Sequence, residues 1–128
     1  RRSAVAIYFK GYKEEEPFKA GFKKIWMNLL SYRLQHFNEA IFLEQCNHSP
    51  FINENLKEVS KQLIQPLFVL MERGKKEHWI KNADTILLLT HIVGAINNVA
   101  RYSHYNRKPL KPEMVKLLFD LCWDGIKG

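Results

Sequence analysis

The side chains of this 128-residue chain that could do chemistry are few: five histidines, two cysteines and thirteen carboxylates. Only Cys46-x-His48 forms a close pair of metal-ligating or nucleophilic types. Two ligands do not make a structural zinc site, and neither HExxH nor CxxC occurs. Nucleophilic catalysis would need a base beside the thiol and a third group to orient that base. On a helix Cys46 and His48 would point about 160° apart, because residues two apart do not share a face. No Gly-rich phosphate loop is present either. The residues point away from an enzyme, a bound metal or a cofactor, and toward a binding domain.

Composition narrows the class further. Apolar content of 46% with 12% aromatic excludes a disordered polyelectrolyte. The length suits one domain with a sizeable core and is short for two. A net charge of +7 favours anionic surfaces at long range. The basic residues are nonetheless spread over several helices and connectors, which reads as a solvated surface rather than a nucleic-acid groove. Cys46 and Cys122 both sit in apolar helical contexts, where free cysteine behaves as a small core residue. No signal peptide is expected from the residues at the N-terminus. The most apolar run, 83–100, is interrupted by Asp84, His91, Asn97 and Asn98 and falls short of a membrane span, so the default compartment is the cytoplasm. A start at Arg1-Arg2 without methionine reads as a fragment or processed product, with a further N-terminal module expected elsewhere.

The elements that must position any site are helical throughout. Residues 1–10 read as the end of a helix, broken at Gly11 and the acidic run Glu14 to Glu16. Pro17 suits the first turn of a second helix to about His36. There Phe18, Phe22, Trp26 and Leu30 recur every fourth residue, flanked by Ile25 and Leu29, as a core-facing stripe requires. A short helix over about 38–48 stops at Ser49-Pro50, because proline pushes its predecessor out of the helical region. Asn53 then caps a long helix to about Glu77, with Leu67, Leu70, Phe68 and Met71 on its apolar side and Pro66 predicting a kink. Asn82 is the expected cap of the next helix, 83–105, which is apolar nearly all round from Ile86 to Val99. Pro112 opens the last helix, to about Ile126.

Two terminal helices this apolar are hard to satisfy inside 128 residues. Pairing them two-fold with a second copy would bury both in an intermolecular four-helix bundle. Gly94, Asn98 and Tyr102 on one helix and Met114, Leu117, Leu118 and Leu121 on the other are the expected interface, with Gly94 permitting close backbone approach. The competing reading is that both helices fill one large core.

The segments FKKIWMNLLSYRLQHFNEAIFLEQCNHSPFI, MERGKKEHWI, ILLLTHIVGAINNVARY and KLLFDLCWDGIK follow one another in an order that resembles the C-terminal effector-binding and dimerisation domain of TetR-type transcriptional repressors. The resemblance covers essentially the whole chain and is sharpest at FNEAIFLEQCNHSPFI and LCWDGIK. It implies an all-α antiparallel bundle of about five to six helices forming a single domain over 1–128. Residues 1–10 would be the end of a linker helix from a DNA-binding helix-turn-helix domain that the chain does not contain.

The resemblance also implies a homodimer, operator DNA bound through the absent domain, and a small hydrophobic effector in a pocket among the helices. No membrane partner is implied. Trp26, Leu30, Phe42, Cys46, Phe68, Met71 and His91 are the candidate pocket residues, from their apolar faces and, for His91, from a buried imidazole's need for a partner. For Trp26 and Phe68, ordinary core packing is the competing reading. The other class of function consistent with the residues is a helical protein-interaction module with no small-molecule ligand.

Overall fold

The computed structural model describes residues 4–37 and 54–128, with side chains over 6–37 and 65–128. Its elements are α1 (Ala4–Tyr8), α2 (Phe18–Gln35), α3 (Glu54–Lys76), α4 (Thr85–Tyr105) and α5 (Pro112–Ile126). Among the described residues there is no strand, only an isolated antiparallel bridge between Ile80 and Lys127. The fold is all-α, as the periodicity predicts. The expected short helix and its stop at Ser49-Pro50 lie outside the described residues.

Each boundary has a local cause. Beyond α1 the chain turns through Gly11 at φ 84°, a left-handed conformation that glycine adopts without a Cβ penalty. The Asn28 side-chain amide donates to the carbonyls of Tyr8 and Lys10, each at 2.9 Å, and so serves two acceptors at the end of α1. Helix α3 runs through Pro66 and ends where His78 takes φ 63° and the Trp79 amide donates back to Gly74 at 2.9 Å. Helix α4 starts two residues later than expected. Its cap is Asp84, whose carboxylate accepts from the Leu87 amide at 2.9 Å, rather than Asn82. Both are capping residue types, and only the geometry chooses between them. Pro112 opens α5, where its missing N–H removes nothing.

Helix α2 is the central element. Helix α1 lies across α2 and α3, while α4 packs against both. Helix α5 meets α2 through large rings: Phe22 to Phe119 at 6.1 Å, Phe22 to Trp123 at 5.9 Å and Trp26 to Phe119 at 5.5 Å between centroids. Phe18 and Trp79 extend this aromatic layer. Burying each such ring contributes roughly 1.5–3 kcal/mol before entropy is counted. The Lys19 and Lys23 ammoniums cover its rim, each 5.4 Å from the Trp123 and Phe119 rings respectively. The tightest approach is at Gly74, where a Cβ would come within 2.6 Å of the Phe18 ring.

Candidate functional site

A cavity lies where α2, α3 and α4 meet. Phe22, Ile25, Trp26 and Leu29 wall it from α2, Leu67, Leu70 and Met71 from α3, and Leu89, Ile92 and Val93 from α4. These positions fall on the inward stripe of each helix because they recur at three- and four-residue spacing. The walls are wholly apolar, and the cavity measures about 10 Å³, at the limit of what holds one water molecule. Such a space favours apolar atoms and offers water no hydrogen-bonding partner. A ligand of any size would have to part the helices.

Polar groups stand just behind the walls. Trp26 is 3% exposed, and its indole N–H has no hydrogen-bond partner of good geometry among the described residues. It faces the weakly accepting Cys122 sulfur. Burial pushes that thiol up to about 11, with the Trp26 N–H acting in the opposite direction. Cys122 is therefore a protonated core residue at neutral pH. Past Met71, Glu72 accepts from the Thr85 hydroxyl and pairs with Lys75 at 3.1 Å. The Thr85 hydrogen bond first, then Lys75, holds the Glu72 carboxyl below its usual range.

Arg73 follows on the same helix. Its guanidinium donates to the Tyr12 hydroxyl at 2.5 Å, to the Glu16 backbone carbonyl at 2.9 Å and to the Glu77 carboxylate at 2.9 Å. The Glu77 bond first, then the Tyr12 bond, raises its affinity for its proton.

A second feature lies on the outside of α4 and α5. Leu87, His91, Gly94, Asn98, Tyr102 and Tyr105 share the outward face of α4. Leu117 and Leu121 stand out from α5 at 59% and 61% exposure, and Leu87 at 65%. Met114 and Leu118 are half-buried beside them. A Cβ on Gly94 would meet nothing within 4 Å, so no contact inside the chain requires a glycine there. Although its sequence is apolar nearly all round, the helix is not buried on several sides within one chain. One face, from Thr85 through Leu88, Leu89, Ile92 and Ile96 to Ala100, is buried, and the opposite face is open.

The structure brings Trp26 and Met71 together at the cavity. Leu30 is buried in the core away from it, and Phe68 packs half-buried against the core without lining the space. His91 is exposed, with its Nε2 4.0 Å from where a Cβ of Gly125 would stand, on the α5 side of α4. Phe42 and Cys46 lie outside the described residues. The expected interface residues Gly94, Asn98, Tyr102, Met114, Leu117, Leu118 and Leu121 all fall on the outward side of α4 and α5 or at its edge. Sequence reasoning missed most of the cavity walls and Arg73. The α2 stripe already carried the signal for Phe22, Ile25 and Leu29; for Arg73 none existed. No group of three or more metal-ligating side chains occurs among the described residues, and no described helix is long and apolar enough to cross a membrane.

This arrangement of helices is that of TetR-family regulators. It superposes on a TetR family transcription regulator from Marinobacter aquaeolei VT8 with a TM-score of 0.81 at 17% identity, covering 96% of this chain and 64% of that one. A putative TetR family regulator from Vibrio parahaemolyticus gives 0.75 at 19% identity, over 97% of this chain and 67% of that one. One from Shewanella sp. PV-4 gives 0.79 at 12%, with the same coverage of 97% and 67%. Identities this low speak for the fold alone. The family is shown by sequence: residues 7–128 match the family described as Tetracyclin repressor-like, C-terminal domain, and the chain belongs to it. It is a C-terminal domain of a transcription-regulator family, not of an enzyme family. No curated protein matches the sequence. The chain spans just under two thirds of the Marinobacter regulator.

Proposed function

We propose that this domain dimerises through the outward face of α4 and α5 and takes a small lipophilic effector between α2, α3 and α4. In the whole regulator, effector binding would lower the affinity of a DNA-binding module for its operator. The observation that carries the reading is the outward apolar stripe. Leu87, Leu117 and Leu121 are large, aliphatic and exposed on two neighbouring helices, with Gly94 leaving room for a second backbone beside them. A single chain gains nothing from that combination, whereas a two-fold copy of it would bury all of these positions at once.

The cavity supports the effector half of the reading by its chemistry. Walls of ten apolar side chains with no polar atom facing inward select an apolar or aromatic molecule. In this reading α1 is the end of the helix that enters from the DNA-binding module. The small size of the cavity favours a second reading, in which the stripe is a protein-interaction surface and no small molecule binds.

A thermal-shift series of lipophilic compounds separates the two. Under the effector reading, compounds that raise the melting temperature also release the full regulator from its operator. Val93→Phe, which fills the cavity from α4, abolishes the shift while operator binding persists. Phe68→Trp, off the cavity wall, leaves it intact. An equal shift in wild type and Val93→Phe would remove the cavity from the account.

A further inference from the structure

Along the sequence the cations look dispersed, but the fold gathers several of them at one end of the bundle. The C-terminal ends of α2 and α4 meet there, with the Phe37 ring stacked on His104 at 4.0 Å and edge-on to Tyr105 at 5.6 Å. Arg33 stands one turn before Phe37. Arg107, Lys108 and Lys111 follow α4 in the connector to α5, all three exposed. No carboxylate occurs in 17–38 or in 85–112. The opening turns of α3 balance Glu54 and Glu58 against Lys57 and Lys61, and the first turn of α5 adds Glu113. At the opposite end cations stand among carboxylates: Lys24 pairs with Glu16, Arg73 with Glu77, Lys75 with Glu72 and Lys127 with Asp124. One end mixes its charges; the other is mainly cationic.

The cationic connector is firmly held for an exposed segment. The Ser103 hydroxyl donates to the Lys108 carbonyl at 2.7 Å, and the Lys108 amide donates back to the Ser103 carbonyl at 3.1 Å. The Asn106 side-chain amide donates to the Tyr102 carbonyl at 2.9 Å. Arg107 takes φ 51°, the left-handed position after a helix that glycine usually fills. Stability alone would favour glycine there, so a long cation at this point suggests a use for its charge. Chain direction adds the placement. The Tyr8 ring meets Tyr32 edge-on at 5.6 Å, whereas the Gly11 carbonyl accepts from Lys24 at 3.1 Å. The chain from 8 to 11 therefore runs along α2 away from Phe37, and α1 enters from the cationic end.

We infer that Arg33, Arg107, Lys108 and Lys111 form a surface that holds the phosphodiester backbone of duplex DNA without reading its sequence. Such contacts draw their strength from counterion release and need no base-reading element. The choice of polyanion rests on the reading that α1 comes from a DNA-binding module, which puts this end on the side nearest the duplex. The inference goes beyond that reading by giving this domain a DNA contact of its own.

The 128-residue chain tests the surface without the DNA-binding module. Anisotropy of a fluorescein-labelled duplex of about 30 base pairs and arbitrary sequence is followed between about 50 and 200 mM NaCl. Four phosphate contacts predict a slope of log affinity on log salt of about −3 to −4. The triple variant Arg107→Gln, Lys108→Gln, Lys111→Gln should bind roughly tenfold or more weakly at the lower salt and flatten the slope to about −1. Lys13→Gln, Lys76→Gln, Lys127→Gln removes the same charge from the opposite end and should leave affinity within about twofold. Arg107→Gly should raise the melting temperature by roughly 3 °C while weakening DNA binding about threefold or more. If the first triple variant does not fold, this single change carries the test.

Equal losses from the two triple variants would reduce the effect to net charge and overturn the surface. So would a wild-type chain that binds no duplex at the lower salt. Poly-glutamate that competes as well as unlabelled duplex would make the partner an acidic protein and overturn the assignment to DNA. None of these outcomes touches the dimer or effector readings, which sedimentation and thermal shift decide.

Discussion

The inner and outer faces of the α4–α5 half of the molecule use the same kinds of residue for opposite ends. Inside, Phe119 and Trp123 are almost fully buried against Phe22 and Trp26, and Ile92 and Ile96 close the layer behind them. Outside, Leu117 and Leu121 alternate with those rings two residues apart on the same helix, so they take its opposite face, and they are more than half exposed. Composition does not separate the two, since both faces are apolar. What separates them is whether the chain supplies its own partner surface. The inner face is complete within one copy; the outer face is left open by it.

The sharpest way to break that contrast is to truncate one residue on each face. Phe119→Ala removes a ring at 1% exposure and should cost about 3–5 kcal/mol in urea denaturation. Leu121→Ala, measured under dilute conditions that favour the monomer, should change the same quantity by less than about 0.5 kcal/mol. Similar losses at both sites would mean that Leu121 is core in solution.

Gly94 sharpens the contrast from the other side. Gly94→Ala should stabilise the isolated helix by up to about 1 kcal/mol, since nothing in the chain opposes the added methyl. The same change should weaken the dimer. Stabilisation with unchanged dimer affinity would place the two-fold axis away from Gly94.

Smaller effects report on the inner face. The Cys122 thiol, raised to about 11 by burial, should resist alkylation at neutral pH until the chain unfolds, as peptide mapping with iodoacetamide would record. A raised folded value contributes stability that is present below the ordinary thiol range and is lost as pH climbs toward about 11. Glu72 has the opposite sign. Its lowered value contributes stability above the ordinary glutamate range, lost as pH falls through the folded value. Thr85→Val removes the larger cause and should flatten the acid limb of stability against pH.

Much of the fold was legible because the longer helices repeat apolar residues at helical spacing, and Gly11, Pro17 and Pro112 mark the end of α1 and the starts of α2 and α5. The site was legible only in part. Periodicity identifies the stripe that faces inward, but not which portion of the stripe meets a gap. Trp26 and Met71 meet it, whereas Leu30, one turn on, and Phe68, on the flank of α3, do not. On α4 the sequence is apolar all round, so pattern could not choose between His91 and its neighbour Ile92. Packing against α2 turned Ile92 in and left His91 out. The Arg73 tie was illegible for a simpler reason. Its partners are Tyr12 and Glu16, and only the tertiary fold brings them to the same place.

The central claim is that the outward stripe is an interface between copies. Sedimentation equilibrium of the 128-residue chain at micromolar concentration tests it directly, alongside the double variant Leu117→Glu, Leu121→Glu. The account predicts a dimer for the wild type. It predicts a monomer of unchanged helicity for the variant, because two carboxylates cannot be buried there unpaired. A wild-type chain that sediments as a monomer at that concentration would contradict it.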